Sequence, residues 1–189
     1  TIMLMILVNT PGSFSHVYPL LEHAPWIGCT LADLVFPFFL FFVGFSAFLS
    51  CKKYSGLTQT LLHKITRRTL LLFLLGILFN MYPYYNYTQP LSWQNLFDYW
   101  AGIRIFGILQ RIACAYFVGV LLCLTLKTTR QILGMGMIVL FLSWLGYILY
   151  HPAQPYALDD NLSRCIDLWF PGTAHIYQGF GIPFDPEGL

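Results

Sequence analysis

The sequence predicts an all-α fold, a polytopic transmembrane helix bundle of about five spans, and three observations predict it. The chain has 189 residues, 57% of them apolar and 18% aromatic, yet only 10 Lys or Arg and 8 Asp or Glu. A soluble domain of this length carries about 25% charged residues, so more than half of the ordinary water-facing charge is missing. Four stretches reach or approach the roughly 20 apolar residues that cross a hydrocarbon core of about 30 Å. Seven of the ten basic residues fall in two short segments, the bias that keeps loops cytoplasmic. Low charge with high hydrophobicity excludes disorder, and a formal net charge of +2 leaves no basic footprint for nucleic acid, so no nucleic-acid partner is expected.

Taken in order, residues 1–9 (TIMLMILVN) read as the tail of a first, truncated span. They begin with Thr1 and lack a basic n-region, so they are not an intact signal peptide. The chain reads as a single transmembrane domain over 1–189, incomplete at both ends. Full spans are expected at 31–50, 67–84, 103–126 and 131–150. Lys52, Lys53, Lys64, Arg67 and Arg68 place loop 51–68 in the cytoplasm, and Lys127 and Arg130 place loop 127–130 there too. Within the first of these, TQTLLHKITRR is a short amphipathic basic stretch suited to anionic headgroups. Segments 10–30, 83–102 and 151–189 then lie outside, and their Trp, Tyr and Pro match an interface belt. Membrane lipid is therefore an expected partner; homo-oligomerisation is left open. No internal repeat is visible.

Cys29, Cys51, Cys114, Cys123 and Cys165 form no CxxC pair and no zinc spacing. An outer Cys29–Cys165 disulfide is one option, buried membrane thiols the plainer one.

Segment 9–33 (NTPGSFSHVYPLLEHAPWIGCTLAD) sets an amide, two histidines and two acids beside two spans. Imidazole exchanges protons in the physiological range, so His23 and His16 are candidate general bases, with interfacial backbone hydrogen bonding as the alternative. Their spacing of seven is no metal-ligand spacing, and no metal is expected. Asp33 reads two ways, as a costly intramembrane carboxylate with a function and as the acidic end of a capping box with Thr30. Pro37 four residues on either restarts or bends the helix.

Along the expected helical span 103–126, Arg104, Gly107 and Arg111 share a stripe bordered by Gln110, with Arg111 about 10 Å deeper than Arg104. A guanidinium at that depth faces the bundle interior and pairs with an anionic ligand or with a carboxylate that ties helices together. There is no GxGxxG, Walker loop, GxSxG or HExxH, so nucleotide hydrolysis and zinc proteolysis have no support.

The run His23-Ala24-Pro25-Trp26-Ile27-Gly28-Cys29-Thr30-Leu31-Ala32-Asp33 resembles the catalytic segment of the heparan-alpha-glucosaminide N-acetyltransferase family. The lead-in MILVNTPGSFSHVYPLLEHA, the later IRIFGILQRIACAYF and the terminal DPEGL also resemble its bacterial members, so the likeness covers nearly the whole chain. It implies an acyltransferase-type domain in a bacterial inner membrane that moves acetyl from cytoplasmic acetyl-CoA, a co-substrate, to an amino sugar on the far side. By that resemblance His23 is the catalytic histidine and Asn9 shares its site. Arg104, Gln110 and Arg111 are expected to bind the acetyl-CoA arm. Two departures stand out: the aspartate and arginine that normally precede the first span are absent, and so is about half of a typical family domain after DPEGL, so the fragment alone is expected to be inactive. A smaller change is Phe106, where relatives usually have Pro. An amino-sugar transporter is the alternative reading, since polar residues within spans and aromatic outer loops fit a sugar path as well. An inactive scaffold is a third.

Overall fold

The computed structural model describes residues 2–13, 16–54, 56–88, 90–177 and 181–185. Thr1 and the terminal Pro186–Leu189 of the DPEGL run lie outside these residues. The described chain is helical: α1 Ile2–Asn9, α2 Leu31–Cys51, α3 Gln59–Asn80, α4 Trp93–Ala101, α5 Ile108–Thr125, α6 Thr129–Tyr150, α7 Leu162–Trp169 and a 3-10 turn at Thr173–His175. Among the described residues no strand forms, only an isolated antiparallel bridge between Tyr156 and Asn161. The five cysteines are free thiols.

Among the described residues three helices, α2, α5 and α6, are long and apolar enough to cross a membrane. The expectation of five spans is corrected at two places. Helix α1 has eight residues, about 12 Å at 1.5 Å per residue, too short to cross alone. Helix α3 starts earlier than the expected span, because Thr58 caps it by accepting the Leu61 N–H at 3.3 Å. Residues 59–68, expected as loop, are thus its first turns, and Lys64, Arg67 and Arg68 stand on the helix itself. With its apolar charge-free run confined to the C-terminal half, α3 falls short of a full span. The three long apolar helices and the low charge make this an integral membrane protein.

The chain divides into two compact units, residues 1–55 and 56–189. In the first, α1 packs on the start of α2 through Val8, Ala32 and Val35, with Leu4 and Leu21 against them. Helix α2 runs unbroken through Pro37, which has no N–H to give the Asp33 carbonyl one turn back.

In the second unit α3 and α5 pack antiparallel. Gly76 faces Gln110, Gly107 faces Asn80, and Arg68 lies over the Tyr116 ring at 6.0 Å. A methyl at Gly76 would stand 2.6 Å from Gln110 Oε1, so glycine is what allows this closeness. Helix α5 begins at Ile108, five residues later than expected, with Gly107 extended as its N-cap and Gln110 Oε1 accepting the Gly107 N–H at 3.2 Å. Residues 103–105 are engaged elsewhere: the Ile105 N–H donates to the His175 carbonyl (3.3 Å), His175 Nδ1 to the Ile103 carbonyl (2.8 Å) and Asn80 Nδ2 to the Arg104 carbonyl (2.8 Å). Those bonds remove Arg104 from the helix. The expected helical stripe of Arg104, Gly107 and Arg111, with its 10 Å offset, is therefore not formed.

Helix α6 is capped by Thr128, which accepts the Gln131 N–H at 3.3 Å. Tyr147 near its end hydrogen-bonds Ser163 on α7.

Candidate active site: a histidine held by a capping aspartate

In the first unit, the backbone entering α2 is extended at Thr30 (φ −104°, ψ 175°), which lets the Asp33 side chain turn back over the helix start. Its Oδ2 accepts the Thr30 N–H at 2.9 Å, the Thr30 hydroxyl at 3.0 Å and the Ala24 N–H at 3.3 Å. Its Oδ1 lies 2.7 Å from His23 Nδ1. The two oxygens divide the work: one closes the helix end and ties down Ala24, the other holds the imidazole. The carboxylate that forms the cap is also the one that contacts His23.

An ionised carboxylate only accepts, so in a neutral His23 the proton sits on Nδ1 and the lone pair on Nε2. The His23 side chain is 59% exposed and Asp33 27%. The imidazole is thus fixed from behind by a half-buried anion and reachable from outside. Gly28, in the loop between them, has φ +150°, and a Cβ there would lie 3.1 Å from Ala24 Cβ. That backbone suits glycine alone.

Asn9 is the last residue of α1, exposed, one place beyond the buried Val8 that packs on Ala32 and Val35. Among the described residues no hydrogen bond joins Asn9 to His23 or Asp33. His16 is exposed, and its backbone N–H donates to the Ser13 carbonyl at 3.4 Å.

In the second unit, Arg104 and Arg111 converge on Asp185. Arg104 grips it with two donors, Nε to Oδ2 at 3.0 Å and Nη2 to Oδ1 at 2.5 Å, and Arg111 Nη2 lies 3.3 Å from Oδ2. The Asp185 side chain is 3% exposed, those of Arg104 and Arg111 22% and 10%. The Arg104 guanidinium also stands 5.6 Å from the centre of the Tyr177 ring. The internal Arg–carboxylate pairing that the sequence left open is formed, with two guanidiniums on one carboxylate. Gln110 is fully buried, and among the described residues its Nε2 has no hydrogen-bond partner.

Asp185 was not singled out from sequence, because it lies 81 residues from Arg104 and no local pattern couples them. Asn80, which holds the Arg104 carbonyl, and Tyr177 were missed for the same reason.

No family model matches the chain. The human heparan-alpha-glucosaminide N-acetyltransferase is 30% identical in an alignment that takes in the whole of this chain and 34% of the human protein. The mouse protein of the same name is 38% identical over 125 residues, 62% of this chain and 16% of that protein. The chain therefore spans about a third of the length of the human relative. Over that stretch it is similar to the heparan-alpha-glucosaminide N-acetyltransferases.

Proposed function

We propose that the protein containing this chain transfers acetyl from acetyl-CoA to the amine of an amino sugar, with His23 as general base. The observation that carries this reading is the 2.7 Å contact between His23 Nδ1 and Asp33 Oδ1. It leaves Nε2 as the exposed proton acceptor and stabilises the imidazolium once the proton arrives. His23 Nε2 takes the proton that the sugar amine must lose as its nitrogen bonds to the acetyl carbon, and can return it to the departing sulfur. Asn9 offers an amide N–H donor for the carbonyl oxygen as negative charge builds on it.

Acetyl-CoA supplies an acetyl group activated as a thioester. Arg104, Gln110 and Arg111 are proposed to hold its arm, and the donor set of the second unit fits such a group. Arg104 and Arg111 bring two guanidiniums to one site, and among the described residues the buried Gln110 Nε2 has no acceptor. A carrier with amide carbonyls and phosphates supplies both acceptors and negative charge. We further propose a bacterial inner-membrane setting with the basic stretches 52–68 and 127–130 on the cytoplasmic side and the amino sugar on the other. Seven of the ten basic residues support that orientation.

The test is acetyl transfer by the full-length protein in detergent with acetyl-CoA and glucosamine, followed by free-thiol release. Release with an N-acetylated product, abolished in His23→Ala while donor binding persists, is the expected result. Wild-type rates in His23→Ala would remove the role of His23. No release from folded protein across a panel of amino sugars would overturn the enzyme reading and make vesicle uptake of unchanged sugar the next measurement.

A further inference from the structure

We infer that α4 is an interfacial helix that lays its Trp93, Phe97 and Trp100 face into the boundary between headgroups and acyl chains of the bilayer. The helix has nine residues, about 13 Å of rise, and cannot cross a membrane. At 100° per residue, Trp93, Phe97 and Trp100 fall within an arc of about 60°, while Gln94, Asn95 and Asp98 occupy the opposite side. None of its residues is buried within the chain. Trp93 is 79% exposed, Phe97 62% and Trp100 38%, so the apolar side of this amphipathic helix faces outward.

What covers that face follows from where the helix is tied. Trp100 Nε1 donates to the Tyr84 carbonyl at 3.0 Å and the Tyr99 hydroxyl to the Met81 carbonyl at 3.5 Å. Both acceptors sit just beyond Asn80, the end of α3. The last turns of α3 carry Leu74, Leu75, Leu78 and Phe79 exposed, and α3 runs antiparallel along α5, a helix long and apolar enough to cross the membrane. The aromatic face of α4 thus belongs to a helix tied to the end of α3, the end at which the outward apolar residues of α3 stop. A switch from Leu to Trp at the end of a hydrocarbon-facing surface is the chemistry of the membrane boundary, where a ring sits in the apolar layer and its polar edge finds a partner. Here the indole N–H of Trp100 already has one. Helix α4 carries Asp98 and no Lys or Arg, so its partner is a zwitterionic phospholipid surface, with no call for anionic headgroups.

The experiment uses the full-length protein, with its native cysteines replaced, reconstituted in phosphatidylcholine vesicles. Single cysteines at Trp93→Cys, Phe97→Cys and Asn95→Cys carry an environment-sensitive fluorophore, and Val118→Cys on α5 serves as the reference for a spanning helix. At positions 93 and 97, lipids with a doxyl quencher high on the acyl chain should quench the probe and aqueous iodide should not. At position 95 the reverse is expected. Iodide quenching at 93 and 97 would place the face in water and overturn the proposal. Shielding from both quenchers would mean that protein, from a second copy or from another part of the full-length chain, covers it, which would overturn it as well. Quenching at 93 and 97 that appears only after anionic lipid is added would overturn the choice of partner.

Discussion

At the scale of single residues, Asp33 links folding to chemistry, since the oxygen that holds His23 and the oxygen that closes α2 belong to one rigid group. Substitutions at its neighbours separate the two duties. In Asp33→Asn the amide oxygen can still accept the Thr30 N–H, while the amide nitrogen faces His23 Nδ1. A donor there forces the imidazole proton to Nε2 and removes the base. The expected loss in kcat is roughly 10²–10⁴-fold, the range of general base catalysis, with donor KM little changed. Thr30→Ala is the matching control. It weakens the cap by about 1 kcal/mol yet spares the His23 contact. Steady-state kinetics of both variants, with thermal unfolding in detergent, checks the pair: equal activity loss in the two would mean that Asp33 acts through the helix start alone.

At the scale of elements, the seam between α3 and α5 depends on two glycines and two amides. Gly76→Ala would set a methyl 2.6 Å from Gln110 Oε1, and that side chain is fully buried with little room to yield. Overpacking of this kind costs about 1–3 kcal/mol. Thermal unfolding in detergent should show that loss in Gly76→Ala and its partial recovery when Gln110→Ala is added, whereas two additive losses would place the strain elsewhere. Much of the helical plan is legible in sequence: α2 and α6 follow from apolar length, and the start of α2 also from the Thr30–Asp33 capping pattern. The start of α5 is not legible, because hydropathy continues smoothly from Ile103 into Ile108. What stops the helix at Gly107 is a set of bonds from Asn80 and His175, far away in sequence. Nor does hydropathy alone separate α3 from a full span, since its apolar half is ordinary and only its basic first turns set it apart.

At the scale of the whole molecule, charge is scarce, and three of the 18 charged side chains meet in one cluster, Arg104, Arg111 and Asp185. The His23–Asp33 pair was legible because its members lie ten residues apart in one motif. Arg104 and Arg111 were legible as buried cations that needed an anion. The anion itself was not, because closing a loop of some eighty residues leaves no periodic mark. That closure gives the cluster its structural weight, as it fastens the chain around 181–185 to the entrance of α5. Asp185→Asn removes the carboxylate that both guanidiniums contact, a loss of about 3–5 kcal/mol for a broken buried pair. Replacing all three together, Arg104→Met, Arg111→Met and Asp185→Leu, removes the charges along with the need to pair them, and should recover most of that stability. Melting of the single and triple variants in detergent, followed by size-exclusion of the fluorescent-tagged full-length protein, measures both. A single variant that melts with the wild type would show that the cluster does not hold this segment. Recovery of stability in the triple variant with no recovery of donor binding is the outcome expected if the two guanidiniums serve acetyl-CoA.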